Sequence, residues 1–186
     1  VTLVPLDPAL ARARSAASLL RGEPLTFGYY RDARMRRAVA ALRRRQLAGE
    51  FAFSSSMAPY LAPAVRGRFR IADLCDADSE KWREYSAKAS FPMNLVYSRE
   101  HRRLAAAETA IINSFDAALA ISEAEAAVFA ARPGLSRRLT VIGNGVDTDY
   151  FAPAAFPRPR DAGDIVFTGA MDYRPNVEAA MWFAAD

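Results

Sequence analysis

The sequence predicts an α/β fold, a Rossmann-like parallel sheet with flanking helices. Short apolar segments that suit strands alternate with longer helical patterns, which is the order that repeated βαβ units produce. The run Ala-Ala-Leu-Ala-Ile at 117–121 is continuously apolar, as in strands buried on both faces of a parallel sheet. The chain has 186 residues, of which 52% are hydrophobic and 25% charged, a composition typical of globular proteins.

The elements follow from apolar spacing and from helix terminators. Helices are predicted where apolar residues recur every three or four positions, and strands where they alternate with polar residues or run continuously. Gly22 with Pro24, Gly49, and Pro133 with Gly134 supply terminators. In chain order we expect helix 8–21, helix 31–48, strand 51–53, helix 57–61, strand 68–74, a helix through Trp82 and Tyr85, helix 93–114, strand 117–121, a helix opening at Ser122, strand 139–142, strand 164–169 and helix 176–186.

A proline-containing stretch divides the chain. Residues 152–163 hold three of the eleven prolines and few periodic apolar residues, which indicates an interdomain linker. The predicted organisation is a first domain over 1–151, this linker, and the start of a second domain over 164–186. The first residue is not methionine and the last helix has no terminator, so we expect a longer protein cut at both ends.

The counts of two residue types exclude several kinds of site. Cys75 is the single cysteine, which excludes an intramolecular disulfide and a cysteine-based metal site. His101 is the single histidine, which excludes sites that need two histidine ligands. We assign no metal ligands among the candidate site residues.

Positive charge is concentrated in one predicted helix. The net charge is +4 and the isoelectric point about 9.5. This segment suits an anionic membrane, a nucleic acid or an acidic ligand, and a solvated helix face is the alternative. No aromatic interleaving or nucleic-acid motif accompanies it, so no nucleic-acid partner is expected. The arginines concerned are Arg31, Arg34, Arg36, Arg37, Arg43, Arg44 and Arg45.

Acidic residues follow the strand predicted at 68–74. In parallel sheets ligands bind at the carboxyl ends of strands, so loops at these positions are candidate sites. Asp76 and Asp78 are candidate catalytic residues, because spaced carboxylates serve as acid and base or bind divalent metals. Capping of the next helix by Asp78 and Ser79 is the alternative. The spacing lacks the glycine and the distal glutamate of a calcium loop.

Three further loops supply candidate ligand-binding residues. Asn144 and Gly145 lie in a Gly-Asn-Gly turn, where a positive φ costs little free energy. The loop either presents backbone N–H groups to a ligand or only reverses the chain direction. Gly169 would let the backbone approach a phosphate, or form a tight turn. Ser122 suits a helix N-cap, and Glu123 has no evident structural role. No dinucleotide-binding or P-loop motif is present.

Several segments together resemble a known family. These segments are, in order, Glu108, residues 115–123, residues 141–147, the proline-containing linker and residues 165–169. Together they resemble the middle of a retaining GT-B glycosyltransferase of family 4. Longer strings are similar to glycosyltransferases encoded with exosortase/PEP-CTERM exopolysaccharide systems. These strings are 29–31, 53–58, 76–82 and 167–177.

The resemblance implies transfer of a sugar, with retention, from a nucleotide-sugar to a saccharide or lipid-linked acceptor. It places Asn144 and Gly145 near the cleft and Gly169 near the donor diphosphate, with Ser122 and Glu123 also among the candidate donor contacts. Relatives have a histidine close to Asp76, and its role passes by hypothesis to Asp76 or Asp78.

The resemblance also implies what lies outside the chain. The nucleotide-sugar is a substrate, and no cofactor is implied. The family's glycine-rich loop and its E-x7-E motif are not in this sequence, so these 186 residues alone are expected to show no turnover. A cytoplasmic enzyme is implied, docked at the inner membrane through the Arg31–Arg45 surface. The competing interpretation is a non-catalytic basic α/β module that binds nucleic acid or an anionic membrane.

Overall fold

Four parallel strands form one sheet in the computed structural model, which describes residues 1–152, 165–172 and 174–185. The strands neighbour one another in chain order, and Phe51 of the first lies opposite Ile71 of the second, which lies opposite Ala117 of the third. This arrangement confirms the predicted α/β class with a parallel sheet. The strands are β1 (Gly49–Phe53), β2 (Phe69–Asp73), β3 (Ala117–Ala120) and β4 (Thr140–Val141).

Helices flank and connect these strands. The N-cap of the first helix is Asp7, whose carboxylate accepts a hydrogen bond of 2.9 Å from the amide of Ala9, and its C-cap is Gly22 with φ 69°. The described helices are α1 (Pro8–Arg21), α2 (Leu25–Tyr30), α3 (Ala33–Arg43), α4 (Asp78–Lys88), α5 (Met93–Ser114), α6 (Glu123–Ala130) and α7 (Arg174–Ala185), with a 3-10 turn at Ala58–Leu61.

Two expectations about elements are wrong, and one helix was not predicted. The helix that was not predicted is α2, whose N-cap is Pro24, since a proline at a helix start removes no hydrogen bond. Helix α3 ends at Arg43 rather than at 48. Residues 165–168 have no regular structure where a strand was expected over 164–169, and Asp164 lies outside the described residues.

A distant carboxylate explains why α2 forms. Glu100 of α5 is fully buried and accepts hydrogen bonds from the amides of Leu25 and Thr26 at 2.5 and 2.9 Å. It also accepts one of 2.8 Å from the Thr26 hydroxyl. These bonds satisfy amides that have no partner within a helix's first turn, and the negative charge complements the helix dipole.

The two faces of the sheet differ in burial. One face contributes Ala52, Ala72 and Ala118 to a core that α5 and α6 complete. The other carries Phe51 and Phe53, which are 56% and 64% exposed. Burial alternates along β3, so the expectation of a strand covered on both faces is not met within the described residues.

The chain divides into two compact units, Val1–Gly145 and Val146–Asp186. The first contains the sheet and helices α1 to α6, and the second contains α7. The predicted linker at 152–163 lies outside the described residues except for Ala152. No described helix has the length and apolar character needed to cross a membrane.

Candidate functional site

A cleft of about 340 Å³ lies at the carboxyl ends of the strands in the first unit. The loops after β2 and β4 both line it, and the segment after β3 contributes Ile121. Three of the predicted site residues meet here, namely Asp76, Asn144 and Gly145. We call this cavity the strand-end cleft. Its position is the one at which open parallel sheets bind ligands.

The loop after β2 is held in an unusual backbone conformation. Cys75 has φ 58°, in the left-handed region that non-glycine residues seldom adopt. The Asp73 carboxylate stabilises it by accepting a hydrogen bond of 3.1 Å from the Cys75 amide, and the Cys75 carbonyl accepts one of 3.2 Å from the Ile121 amide. Burial, with the nearby charge of Asp73, raises the pKa of Cys75 to about 11. The thiol therefore stays protonated at neutral pH and is a poor nucleophile.

The two catalytic candidates face different cavities. Asp76 is exposed in the strand-end cleft, whereas Asp78 lies in the first turn of α4. Asp78 lines a second cavity of about 370 Å³. The Ser55 hydroxyl donates to it at 3.3 Å. Burial raises the pKa of Asp78, and the bond from Ser55 only partly opposes that rise. We call this second space the aromatic cavity, since its lining includes Tyr29, Tyr30, Trp82 and Tyr97.

Capping does not explain Asp78 and Ser79, contrary to the alternative considered from the sequence. The N-cap of α4 is Ala77, whose side chain makes no capping bond, and Glu108 of α5 accepts a hydrogen bond of 3.2 Å from the Ser79 amide in the first turn. Ser79 instead donates its hydroxyl to Glu108 at 2.8 Å. Asp78 is therefore not committed to capping, whereas Ser79 is buried in its contacts with Glu108 and Arg132.

Helix α6 supports the strand-end cleft indirectly. Ser122 caps it as expected, accepting a hydrogen bond of 3.2 Å from the Glu125 amide. The Glu125 carboxylate accepts a bond of 2.7 Å from the amide of Ala77, next to Asp76, so it braces the loop after β2. Glu123 is exposed and lines a separate groove. This role of Glu125 was not apparent from the sequence, because Glu125 and Ala77 lie 48 residues apart in the chain.

The glycines of the candidate loops differ in their surroundings. Neither Gly143 nor Gly145 has positive φ, so the conformational reason given for them is wrong. A Cβ at Gly145 would meet nothing within 4 Å, which leaves its backbone open to a ligand. Gly169 lies in the second unit, where a Cβ would come within 2.7 Å of the Asn176 side chain. A side chain at position 169 would therefore require Asn176 to shift.

The arginines predicted as one basic surface fall into two groups. Three are held by acids: Arg31 by Glu23, Arg34 by Asp32 and Arg43 by Glu50, at 2.8, 3.1 and 2.8 Å. The other four are exposed and form no ion pair within the described part of the chain. They are Arg36, Arg37, Arg44 and Arg45, and we call them the free arginines.

The fold and the strand-end cleft define a Rossmann-like α/β protein with a cleft at the carboxyl edge of its sheet. A scan against protein-family models and searches of curated proteins and of solved structures found no match. Among the residues that the structure describes, no group of three or more His, Cys, Asp or Glu side chains could hold a metal ion.

Proposed function

We propose that this chain is the acceptor-side part of a GT-B glycosyltransferase, which moves a sugar from a nucleotide-sugar to a saccharide acceptor. The observation that carries the proposal is the meeting of Asp76, Asn144 and Gly145 in the strand-end cleft. These residues belong to two loops about seventy residues apart in sequence, and both loops follow strands of the parallel sheet.

The groups in the strand-end cleft suit sugar recognition. Asp76 is an exposed carboxylate that can accept hydrogen bonds from sugar hydroxyls. Asn144 carries both a donor and an acceptor, which matches the mixed hydrogen bonding of hydroxyl groups. The open space at Gly145 leaves its backbone accessible. In the proposed reaction Asp76 accepts hydrogen bonds from hydroxyls of the donor sugar.

The free arginines support an acceptor that lies at a membrane. Each basic residue near an anionic bilayer contributes roughly 1 kcal/mol, so four exposed side chains give appreciable attraction. We expect the chain to sediment with vesicles that contain phosphatidylglycerol and not with neutral phosphatidylcholine vesicles. Equal binding to both would remove membrane docking from the proposal.

Ligand binding tests the proposal without requiring turnover. Calorimetric titrations would compare UDP-glucose, UDP-N-acetylglucosamine and GDP-mannose with UDP and GDP. We expect at least one nucleotide-sugar to bind more tightly than its parent nucleotide, and Asn144→Ala to weaken that binding about tenfold. The control is Gln46→Ala, an exposed position that does not line the cleft. Binding that is no tighter for nucleotide-sugars, or unaffected by Asn144→Ala, would contradict the proposal.

The free arginines also favour the competing class, a basic module without catalytic function. Such a module would bind short single-stranded DNA or RNA more tightly than any nucleotide-sugar. The logarithm of its binding constant would also fall linearly with the logarithm of the salt concentration. The glycosyltransferase proposal predicts only weak, sequence-independent binding of this kind.

A further inference from the structure

Two cavities in the first unit share a buried serine. One is the aromatic cavity, and the other has a volume of about 260 Å³ and is lined by Arg31, Arg36, Tyr60 and Phe27. We call the latter the arginine cavity. Ser56 lines both, so the two are neighbours. Neither has a lining residue in common with the strand-end cleft.

The aromatic cavity has the chemistry of a sugar site. Its rings form two groups, with centroids 5.1 Å apart for Tyr29 and Tyr30 and 5.5 Å apart for Trp82 and Tyr97. These rings are not fully buried, so they offer apolar faces to a ligand. A hexose ring has apolar C–H faces and a rim of hydroxyls, and Asp78 supplies an acceptor for that rim. A mostly apolar cavity with few polar groups is typical of small-molecule sites.

The arginine cavity has the chemistry of an anion site. Arg36 is exposed and forms no ion pair with any described residue. Arg31 pairs with Glu23 at 2.8 Å, but a guanidinium has five N–H donors and keeps some for a second partner. A guanidinium binds phosphate oxygens in a bidentate manner, so a cavity lined by two of them suits a phosphate.

The wall between the cavities is fixed by hydrogen bonds. The Tyr60 hydroxyl donates to the Tyr30 carbonyl at 2.6 Å and accepts from the Asp32 amide at 2.7 Å. The Ser56 hydroxyl lies 3.0 Å from that of Ser54, which has φ 75°. When Ser54 donates in this pair, the Ser56 hydroxyl can donate to a ligand that spans both cavities.

We propose that the aromatic and arginine cavities together bind a phosphorylated hexose, with the ring beside Trp82 and Tyr97 and the phosphate on Arg31 and Arg36. The inference rests on the proposed function and gives the acceptor a chemical class, a saccharide joined to phosphate or diphosphate. It involves binding only and adds no covalent step.

Tryptophan fluorescence tests this assignment. In a Trp182→Phe background, the signal of Trp82 would be followed during titration with glucose 1-phosphate, glucose and inorganic phosphate. We expect glucose 1-phosphate to bind more tightly than either part alone. Arg36→Ala should weaken that binding about tenfold, because it removes charged hydrogen bonds. The matched control is Arg37→Ala, which removes an equal charge from the same helix without touching either cavity.

Three outcomes would overturn the assignment. One is an equal loss in the two arginine variants, which would indicate general charge attraction. Another is equal affinity for glucose 1-phosphate and inorganic phosphate. The third is that phosphatidylglycerol vesicles displace glucose 1-phosphate at a lower total phosphate concentration than inorganic phosphate does. That result would assign the arginine cavity to a lipid headgroup.

The result is separable from the test of the proposed function. Loss of glucose 1-phosphate binding with nucleotide-sugar binding intact at the strand-end cleft overturns the acceptor assignment alone. Glucose 1-phosphate binding without any nucleotide-sugar binding overturns the proposed function and leaves the two-cavity site standing.

Discussion

Replacing Glu108 by glutamine should destabilise the fold severely. Glu108 is fully buried and accepts hydrogen bonds from the Ser79 amide, the Ser79 hydroxyl and Arg132, at 3.2, 2.8 and 2.7 Å. The substitution removes the charge that compensates Arg132, whose other acidic neighbour, Glu80, is 3.9 Å away. Breaking a buried ion pair from one side costs about 3–5 kcal/mol.

Urea unfolding followed by circular dichroism measures that cost. The control is Glu84→Gln on the exposed side of α4, which should change the unfolding free energy by less than about 0.5 kcal/mol. A double variant, Glu108→Leu with Arg132→Met, should recover part of the lost stability, because it leaves no unpaired charge although the buried Ser79 amide and hydroxyl lose their acceptor. If Glu108→Gln costs no more than Glu84→Gln, the ion pair does not hold α4, α5 and the segment after α6 together.

Burial raises the pKa of Glu108, and Arg132 opposes that rise. The single variant Arg132→Met should therefore leave a carboxyl that takes up a proton on folding at mildly acidic pH. Its stability should rise as the pH falls, because a group whose pKa is raised in the folded state binds more protons there. A difference in unfolding free energy between Arg132→Met and wild type that does not change with pH would contradict this account.

Further predictions concern single positions. Gly28→Ala should cost about 1–3 kcal/mol in urea unfolding, because its Cβ would overlap the Ser18 hydroxyl oxygen; an unchanged midpoint would contradict this. Burial raises the pKa of Glu50, but hydrogen bonds from two arginines outweigh it and lower the pKa overall. At neutral pH the unfolding free energy of wild type should therefore exceed that of Glu50→Gln. This difference should decrease below about pH 4, where the carboxyl of the unfolded chain is protonated. Cys75, with a pKa of about 11, should react with a disulfide reagent at neutral pH far more slowly than an unperturbed thiol. Ser122→Ala should cost about 1 kcal/mol through loss of the α6 cap.

The sequence predicts a helix correctly where the residues that define it lie in the helix itself or directly beside it. Helix α1 is bounded by Asp7 and Gly22, which are its own caps, and its predicted range of 8–21 agrees with the structure. Helix α5 was predicted at 93–114, and its apolar spacing matches the buried positions Leu104, Ile111 and Ile112. Both predictions depend on nearby residues alone.

Elements that depend on distant partners could not be predicted. Helix α2 has no side-chain cap of its own, and the carboxylate that replaces one comes from Glu100. In an amphipathic helix a glutamate is expected on the solvent-exposed face. The apolar spacing of α5 therefore did not predict that Glu100 and Glu108 are buried.

The candidate site was predicted in part. Strand ends were expected to gather loops at one edge, and Asp76, Asn144 and Gly145 do line one cleft. The separation of Asp76 from Asp78 follows from where α4 begins, since Asp78 is its first residue and lines the aromatic cavity. The sequence does not fix the first residue of a helix more closely than about two to four positions, so the separation of Asp76 from Asp78 could not be predicted.

Chemical-shift mapping by NMR tests the central claim most directly. The chain would be titrated with the tightest-binding nucleotide-sugar while backbone amides are followed. The glycosyltransferase proposal predicts that the largest shifts fall on Cys75, Asp76, Asn144 and Gly145, around the strand-end cleft. Shifts concentrated on the free arginines of α3 and the segment after it, with the cleft unchanged, would contradict it.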